Sequence, residues 1–222
     1  MRIGNSGILL IFLAIFFSNK EIAMAELGEI KLPEPIKSGR VSVEEAILSR
    51  RSERNFIQKD LDWSDIGQLL WAAQGITAKR GGFALRSAPS AGALYPMEIY
   101  LLSKDGLFHY LPQGHRLEVL GENDLRYPLA KAALGQSSVA QAPIDIVICA
   151  VYQRVTGKYG KRGIRFVDIE AGHVAQNVHL EAVALGLGSV PIGAFSEEKV
   201  KEILSLPLEQ EPIYIIPIGY VE

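Results

Sequence analysis

The chain has one cysteine in 222 residues, so no internal disulfide can form. That residue, Cys149, sits in the apolar run Ile144 to Val151, where a buried and inert thiol is expected. Histidine is scarce, with four in all, and no Cys/His group has metal-ligand spacing. Neither sign of charge is in excess: 23 Lys and Arg stand against 25 Asp and Glu, for a formal net charge of -2. That balance gives no footprint for nucleic acid. No internal repeat, low-complexity tract or second domain boundary is visible. The apolar run Ile8 to Phe17 is too short to span a bilayer as a helix.

What the amino terminus does have is the layout of an export signal. Arg2 and the free amine precede the apolar run, and Ala23-Met24-Ala25 offers an A-x-A cleavage site. Residues 1–25 therefore read as a signal peptide, with a periplasmic or extracellular mature chain from Glu26. A misassigned or uncleaved leader would return the protein to the cytoplasm. Residues 26–40 read as an extended leader and 41–222 as one domain.

Hydrophobic residues make up 48% of the chain, enough for a full core. Ser42 with Glu45 forms a capping box that predicts a helix from Val43 to about Arg51. A second helix is expected over Trp63 to Gln74, with Ser64 as cap. Strands are expected at Met97 to Ser103 and Leu107 to Leu111 across a Lys104-Asp105-Gly106 turn, then at Arg116 to Leu120, Ile144 to Val151 and Ile213 to Ile218. Asn123 to Leu134 and Ser196 to Ser205 read as helices, and Tyr152 to Gly163 as a polar loop.

The dominant segment is Asp168 to Gly193, opening as a helix that is apolar around most of its circumference. Its polar residues, among them Glu170, His173, His179 and Glu181, then need partners inside the protein or across a subunit boundary. These elements together predict an α+β domain organised on one long buried helix.

Three stretches carry candidate chemistry. Arg50, Arg51 and Arg54 place three guanidinium groups around Ser52; they read either as cations at a helix carboxyl end or as a phosphate clamp. The loop Ala88 to Pro96, APSAGALYP, has little side-chain bulk and lets backbone groups approach a ligand closely. It also reads as an ordinary turn. Lys158, Tyr159, Lys161, Arg162 and Arg165 form a basic stretch that is either solvated or poised over a substrate.

Taken in order, RRSERNF (Arg50 to Phe56), LLWAAQGIT (Leu69 to Thr77), APSAGALYP, KYGKRGIR (Lys158 to Arg165), AGHVAQN and ALGLGS resemble the FMN-dependent nitroreductases. Within that family they are similar to the SagB-type branch of thiazole/oxazole-forming dehydrogenases. The resemblance covers about Val41 to Gly219. It implies a nitroreductase-like fold, a mixed central sheet flanked by helices, and a homodimer in which the long helices pack together and FMN lies at the interface.

By the same resemblance, Arg50, Arg51, Ser52 and Arg54 would hold the phosphate and ribityl chain. Pro89, Ser90, Ala91 and Gly92 would reach the flavin from the partner subunit, and Val190, Pro191, Ile192, Gly193 and Ala194 would lie along the ring. Many relatives have an asparagine where Ala93 stands, and basic residues beyond the last strand that this sequence lacks, so Arg86 or Arg162 is expected to complete the clamp. Arg54 is the candidate cation for the reduced ring.

Lys158 and Tyr159 match a Lys-Tyr pair proposed as the base in azoline oxidation. A lysine serves as base where burial or nearby cations favour its neutral amine. The resemblance implies ping-pong hydride transfer through FMN, on a small-molecule or peptide-borne heterocycle, with NAD(P)H disfavoured as donor by export. A flavin-holding electron-transfer module that has lost turnover is the alternative.

Overall fold

The protein is described by a computed structural model over residues 28–222. The signal peptide expected at 1–25 lies outside the described residues. Strand β1 (Glu29–Lys31) falls in the expected leader and pairs with a later strand, so part of that leader belongs to the sheet. Helix α1 (Val43–Ser49) starts on the capping box: Ser42 Oγ accepts from the Glu45 amide at 3.1 Å, and the Glu45 carboxylate accepts from the Ser42 amide at 2.8 Å. Helix α2 (Trp63–Gln74) is capped by Asp62, not Ser64; the Asp62 carboxylate accepts from the Asp65 amide at 2.9 Å. A charged acceptor just outside the first turn also meets the positive end of the helix dipole.

Strands β2 (Ile76–Arg80) and β3 (Phe83–Arg86) form a separate hairpin turning at Gly81 and Gly82, both at positive φ. A meander follows: β4 (Met97–Ser103), β5 (Gly106–Leu111) and β6 (Arg116–Gly121). Helix α3 (Arg126–Ala132) is shorter than expected, because Leu134 and Gly135 turn left-handed behind it. A short α4 (Ser137–Gln141) leads into β7 (Ile144–Ala150), buried at every position.

Helix α5 (Gln153–Tyr159) occupies most of the stretch expected as a polar loop, and Gly160 ends it at φ 58°. Helix α6 (Arg162–Ala184) begins at Arg162, ahead of Asp168, and runs for 23 residues. The chain closes with β8 (Gly188–Ser189), α7 (Glu197–Leu204) and β9 (Glu211–Gly219).

The sheet order is β1-β6-β5-β4-β7-β9-β8, with every strand pair antiparallel. A parallel bridge between Ser52 and Ser189 adds a mixed element at the β8 edge. Alternation along β7 splits the core in two. Ile144, Ile146 and Ile148 pack with α2 and α6, while Val147 and Cys149 pack with α3 and α7. An interior strand with both faces covered is why that run reads as continuously apolar.

Helix α6 is fixed from within the chain by Val167, Ala171, Val174, Ala175, Val178 and Ala182. Each buried valine there contributes roughly 1.5–3 kcal/mol. A second stripe, Ile169, Gly172, His173 and Gln176, stays exposed. The expected apolarity on nearly every side is therefore divided between a buried face and an open one.

Candidate active site

Arg50 follows the last residue of α1 and is half-buried against α6. Its Nη1 donates to His179 Nε2 at 3.1 Å, and His179 Nδ1 stands 2.5 Å from Ser189 Oγ. A guanidinium has only donors, so Nε2 is the bare nitrogen and Nδ1 carries the proton that it donates to Ser189. Burial, then the adjacent Arg50 charge, pushes His179 down to about 4. The imidazole is neutral at neutral pH, and it orients Arg50 without cancelling its charge.

The same edge fixes Ser52 and the residues around it. Ser52 bridges Ser189, and the Glu53 amide donates to Ser189 O at 3.0 Å. Arg51 folds back on α1, donating to Leu48 O at 3.0 Å and Arg50 O at 2.7 Å, which is the helix-end role open to any of the three arginines. Arg54 donates to Ser52 O at 3.3 Å. Among the described residues no carboxylate pairs with Arg50, Arg51 or Arg54. Unneutralised positive charge concentrated within five residues suits a phosphate.

After β8 the chain passes through Val190 to Ala194. Val190 and Ile192 are buried in the core, and Ile192 bridges Ile215. Pro191, Gly193 and Ala194 face outward, and Ala194 O accepts from Gln136 Nε2 at 3.1 Å. The segment is anchored by alternate side chains and presents backbone and small residues to the surface.

Pro89, Ser90, Ala91 and Gly92 belong to a second cluster. Gly92, Ala93 and Tyr95 all take left-handed φ, at 66°, 54° and 46°. Two non-glycine residues in that region store strain that surrounding bonds must hold. Ser90 Oγ accepts from the Tyr95 amide at 2.9 Å, Arg154 Nη1 donates to Tyr95 O at 3.0 Å, and the Arg86 amide donates to Tyr95 Oη at 3.2 Å. Arg154, on α5, also bonds Glu98, which receives His109 Nε2 at 2.8 Å.

Lys158 and Tyr159 close over this loop: a β-carbon built on Gly92 would lie 2.8 Å from Tyr159 Oη and 3.0 Å from Lys158 Nζ. Tyr159 packs edge-on to Phe166 at 5.3 Å, and Phe166 lines a cavity of about 290 Å³ with Pro89, Ser90, Ala91, Ile169, Glu170 and His173.

The structure thus joins the loop to the Lys-Tyr pair, and Arg50 and Ser52 to the chain leaving α6. It keeps the two clusters apart. Glu170 marks one and His179 the other, about 14 Å along α6 at 1.5 Å per residue. Of the two arginines expected to complete the clamp, Arg86 is engaged by Gln74 Oε1 at 3.0 Å and by the Tyr95 ring, and Arg162 is exposed at the start of α6. Gln74 and Ser189 lie inside LLWAAQGIT and ALGLGS, but nothing in those stretches marks either as a site residue, and His179 and Glu170 lie in none of the stretches. For His179 and Glu170 the only signal is that polar residues on so apolar a helix require partners.

Comparison with known proteins shows the family to which the chain belongs. The sequence model of the Nitroreductase family matches residues 47–220. MJ1384, a provisional nitroreductase of Methanocaldococcus jannaschii, is 39% identical over 202 residues, which is 88% of this chain and 98% of that protein. The crystal structure of a provisional nitroreductase from Ralstonia eutropha is 33% identical with a TM-score of 0.78, covering 87% of this chain and 90% of its own. The microcin B17-processing protein McbC of Escherichia coli is 29% identical over 136 residues, 56% of this chain and 50% of McbC, so the match spans half of that relative.

Proposed function

The chain belongs to the nitroreductase family, and from that premise we propose that it is an oxidoreductase passing hydride through FMN held between two copies of itself. The observation that carries this reading is the half-buried Arg50, fixed on a neutral His179 and flanked by Ser52 and Arg54 with no carboxylate among the described residues to neutralise the arginines. This donor set fits a phosphate monoester. The other cluster lies about 14 Å along α6, and in a paired arrangement it would reach the cofactor from the partner. The open stripe of α6 supports such pairing.

Bound there, FMN would supply the hydride acceptor and donor that side chains lack. The protein's own part is to hold the phosphate with Arg50 and Arg54, to place small backbone at Gly193 and Ala194, and to bring the loop at Ser90 to Gly92 across from the partner. Lys158 and Tyr159, in contact with Gly92, are the groups placed to take or give a proton at a substrate.

The likeness of Lys158 and Tyr159 to the Lys-Tyr pair of azoline-oxidising enzymes supports oxidation of a small or peptide-borne heterocycle, with NAD(P)H-driven reduction as the competing chemistry. Export of the mature chain belongs to this proposal and would separate the enzyme from cytoplasmic NAD(P)H. An absorbance spectrum together with solution molar mass tests cofactor and assembly at once: a yellow dimer is expected, and a colourless monomer that takes up no FMN overturns the reading. Stopped-flow mixing with NADH and NADPH then separates the two chemistries, since rapid bleaching assigns the nicotinamide route.

A further inference from the structure

Glu170 is a buried carboxyl, 2% exposed, on the face of α6 beneath the Ser90 loop. Among the described residues neither of its oxygens has a partner at full hydrogen-bonding geometry, and Gln74 Nε2, also buried, is likewise without one. The Ser90 hydroxyl and the Gln74 amide are nevertheless close enough to hold the carboxyl down against burial, which raises it to about 7. Gln74 is in turn fixed by Arg86 Nη1 on its Oε1 at 3.0 Å. The Ser90 oxygen already accepts from the Tyr95 amide, so its hydrogen is free to point at Glu170.

We propose that Glu170 is the positioning residue of the 88–96 loop, acting through the Ser90 hydroxyl to keep Gly92 against Lys158 and Tyr159. The loop is strained at Gly92, Ala93 and Tyr95, and Ser90 is its hub: the side chain receives Tyr95 N and the carbonyl receives Ala93 N at 3.0 Å. An acceptor behind Ser90 fixes the rotation of that hydroxyl and with it the turn. Without the acceptor the hydroxyl is free to turn, and the strained conformation loses its inner support.

The clamp depends on the proton. An ionised Glu170 accepts from Ser90 O–H and Gln74 N–H together. A neutral one carries a hydrogen of its own and has one good acceptor oxygen left. The ionisable groups around it are Arg86 on β3 and His173 on its own helix, with Glu98 on β4 and Arg154 on α5 beyond Arg86. Helix α2 contributes only the neutral Gln74. Ionisation therefore tightens the loop as pH rises through the neutral range.

The loop-level effect stands without a cofactor; only its consequence for FMN rests on the function proposed above. Amide hydrogen exchange of the peptide covering residues 88–96, corrected for intrinsic rates, reads the loop directly in the full-length protein. Protection at Tyr95 should rise about fivefold between pH 6 and pH 8, the worth of one hydrogen bond. Glu170→Gln, which cannot ionise, should flatten that step, and Ser90→Ala should abolish it if the first variant folds poorly. The Kd for added FMN should tighten over the same range in the native protein and not in Glu170→Gln. A step unchanged in both variants, or no step at all in the native protein, overturns the assignment. A step that vanishes in the variants while FMN never binds supports Glu170 and defeats the flavin reading.

Discussion

Gly92 and Tyr159 are in such close contact that a methyl group on the glycine would sit 2.8 Å from the phenol oxygen. The position is also left-handed, at φ 66°, where a side chain adds about 1–2 kcal/mol of strain. Gly92→Ala is thus expected to lower stability by that amount and to push Tyr159 and Lys158 away from the loop. If these two residues serve the reaction, turnover should fall on the order of a hundredfold, the loss typical of an ångström-scale misplacement. Denaturant melts and steady-state rates on one preparation check both. A variant with native rates would remove Lys158 and Tyr159 from the site.

His179 gives a stability signature of its own. Its folded pKa of about 4 lies below the ordinary 6.5, so the unfolded chain binds the extra proton first. The contribution is fully present above about pH 6.5 and is lost as pH falls through the window to 4. The displacement sets an upper bound of about 3 kcal/mol. His179→Gln, which can still accept from Arg50, should flatten the fall in thermal midpoint between pH 6.5 and 4. An identical slope in both proteins would place the charge-sensitive group elsewhere.

These two residues show what was readable in advance. Gly92 was found because small residues between two prolines announce a loop that something approaches, and ordered motifs tied it to a cofactor. His179 was visible only as a polar residue on an apolar helix; its partners are 129 residues away at Arg50 and in the next segment at Ser189, and no local period links them. The β7 run and the Ser42 capping box were legible because their causes are local. Helix α5 was not: glycines at 157 and 160 and several charges resemble a loop, and its packing on α6 overrides that local preference. The Gly81-Gly82 hairpin carried a turn signal that the polar flanks Lys79 and Arg80 obscured.

Arg51 and Arg54 should separate when each is changed to alanine. Arg51 is spent on the carbonyls of Leu48 and Arg50, so its loss should shave stability by about 0.5–1 kcal/mol and leave FMN binding nearly unchanged. Arg54 is exposed and, among the described residues, bonds only Ser52 O, so Arg54→Ala should alter stability by no more than about 0.5 kcal/mol. If it holds the phosphate, its FMN affinity should fall roughly 10- to 100-fold, the loss of a charge-assisted hydrogen bond. Fluorescence titration with FMN, repeated with riboflavin, decides the matter: the Arg54 effect should disappear with the ligand that has no phosphate. An equal effect on both ligands would assign Arg54 to the ring and not to the phosphate.

Ile169 tests the pairing of chains. It is 45% exposed on α6, in line with Gly172, His173 and Gln176, while the opposite face of the same helix is fully built into the core. Among the described residues nothing would touch a β-carbon on Gly172, so the centre of the stripe is smooth enough for a second helix to approach closely. Ile169→Arg adds a long charged side chain at that surface, and burying an unpaired cation in an interface is costly. Because Ile169 is already open to solvent in the single chain, the fold itself should change by no more than about 0.5 kcal/mol. Light scattering should then report half the native molar mass for a variant that still melts cooperatively. FMN should be lost with the dimer, since each cofactor would have only the Arg50 cluster and no Ser90 loop opposite it. A variant that keeps the native mass would place the subunit contact on another face, and one that becomes monomeric yet binds FMN with native affinity would confine the whole site to a single chain.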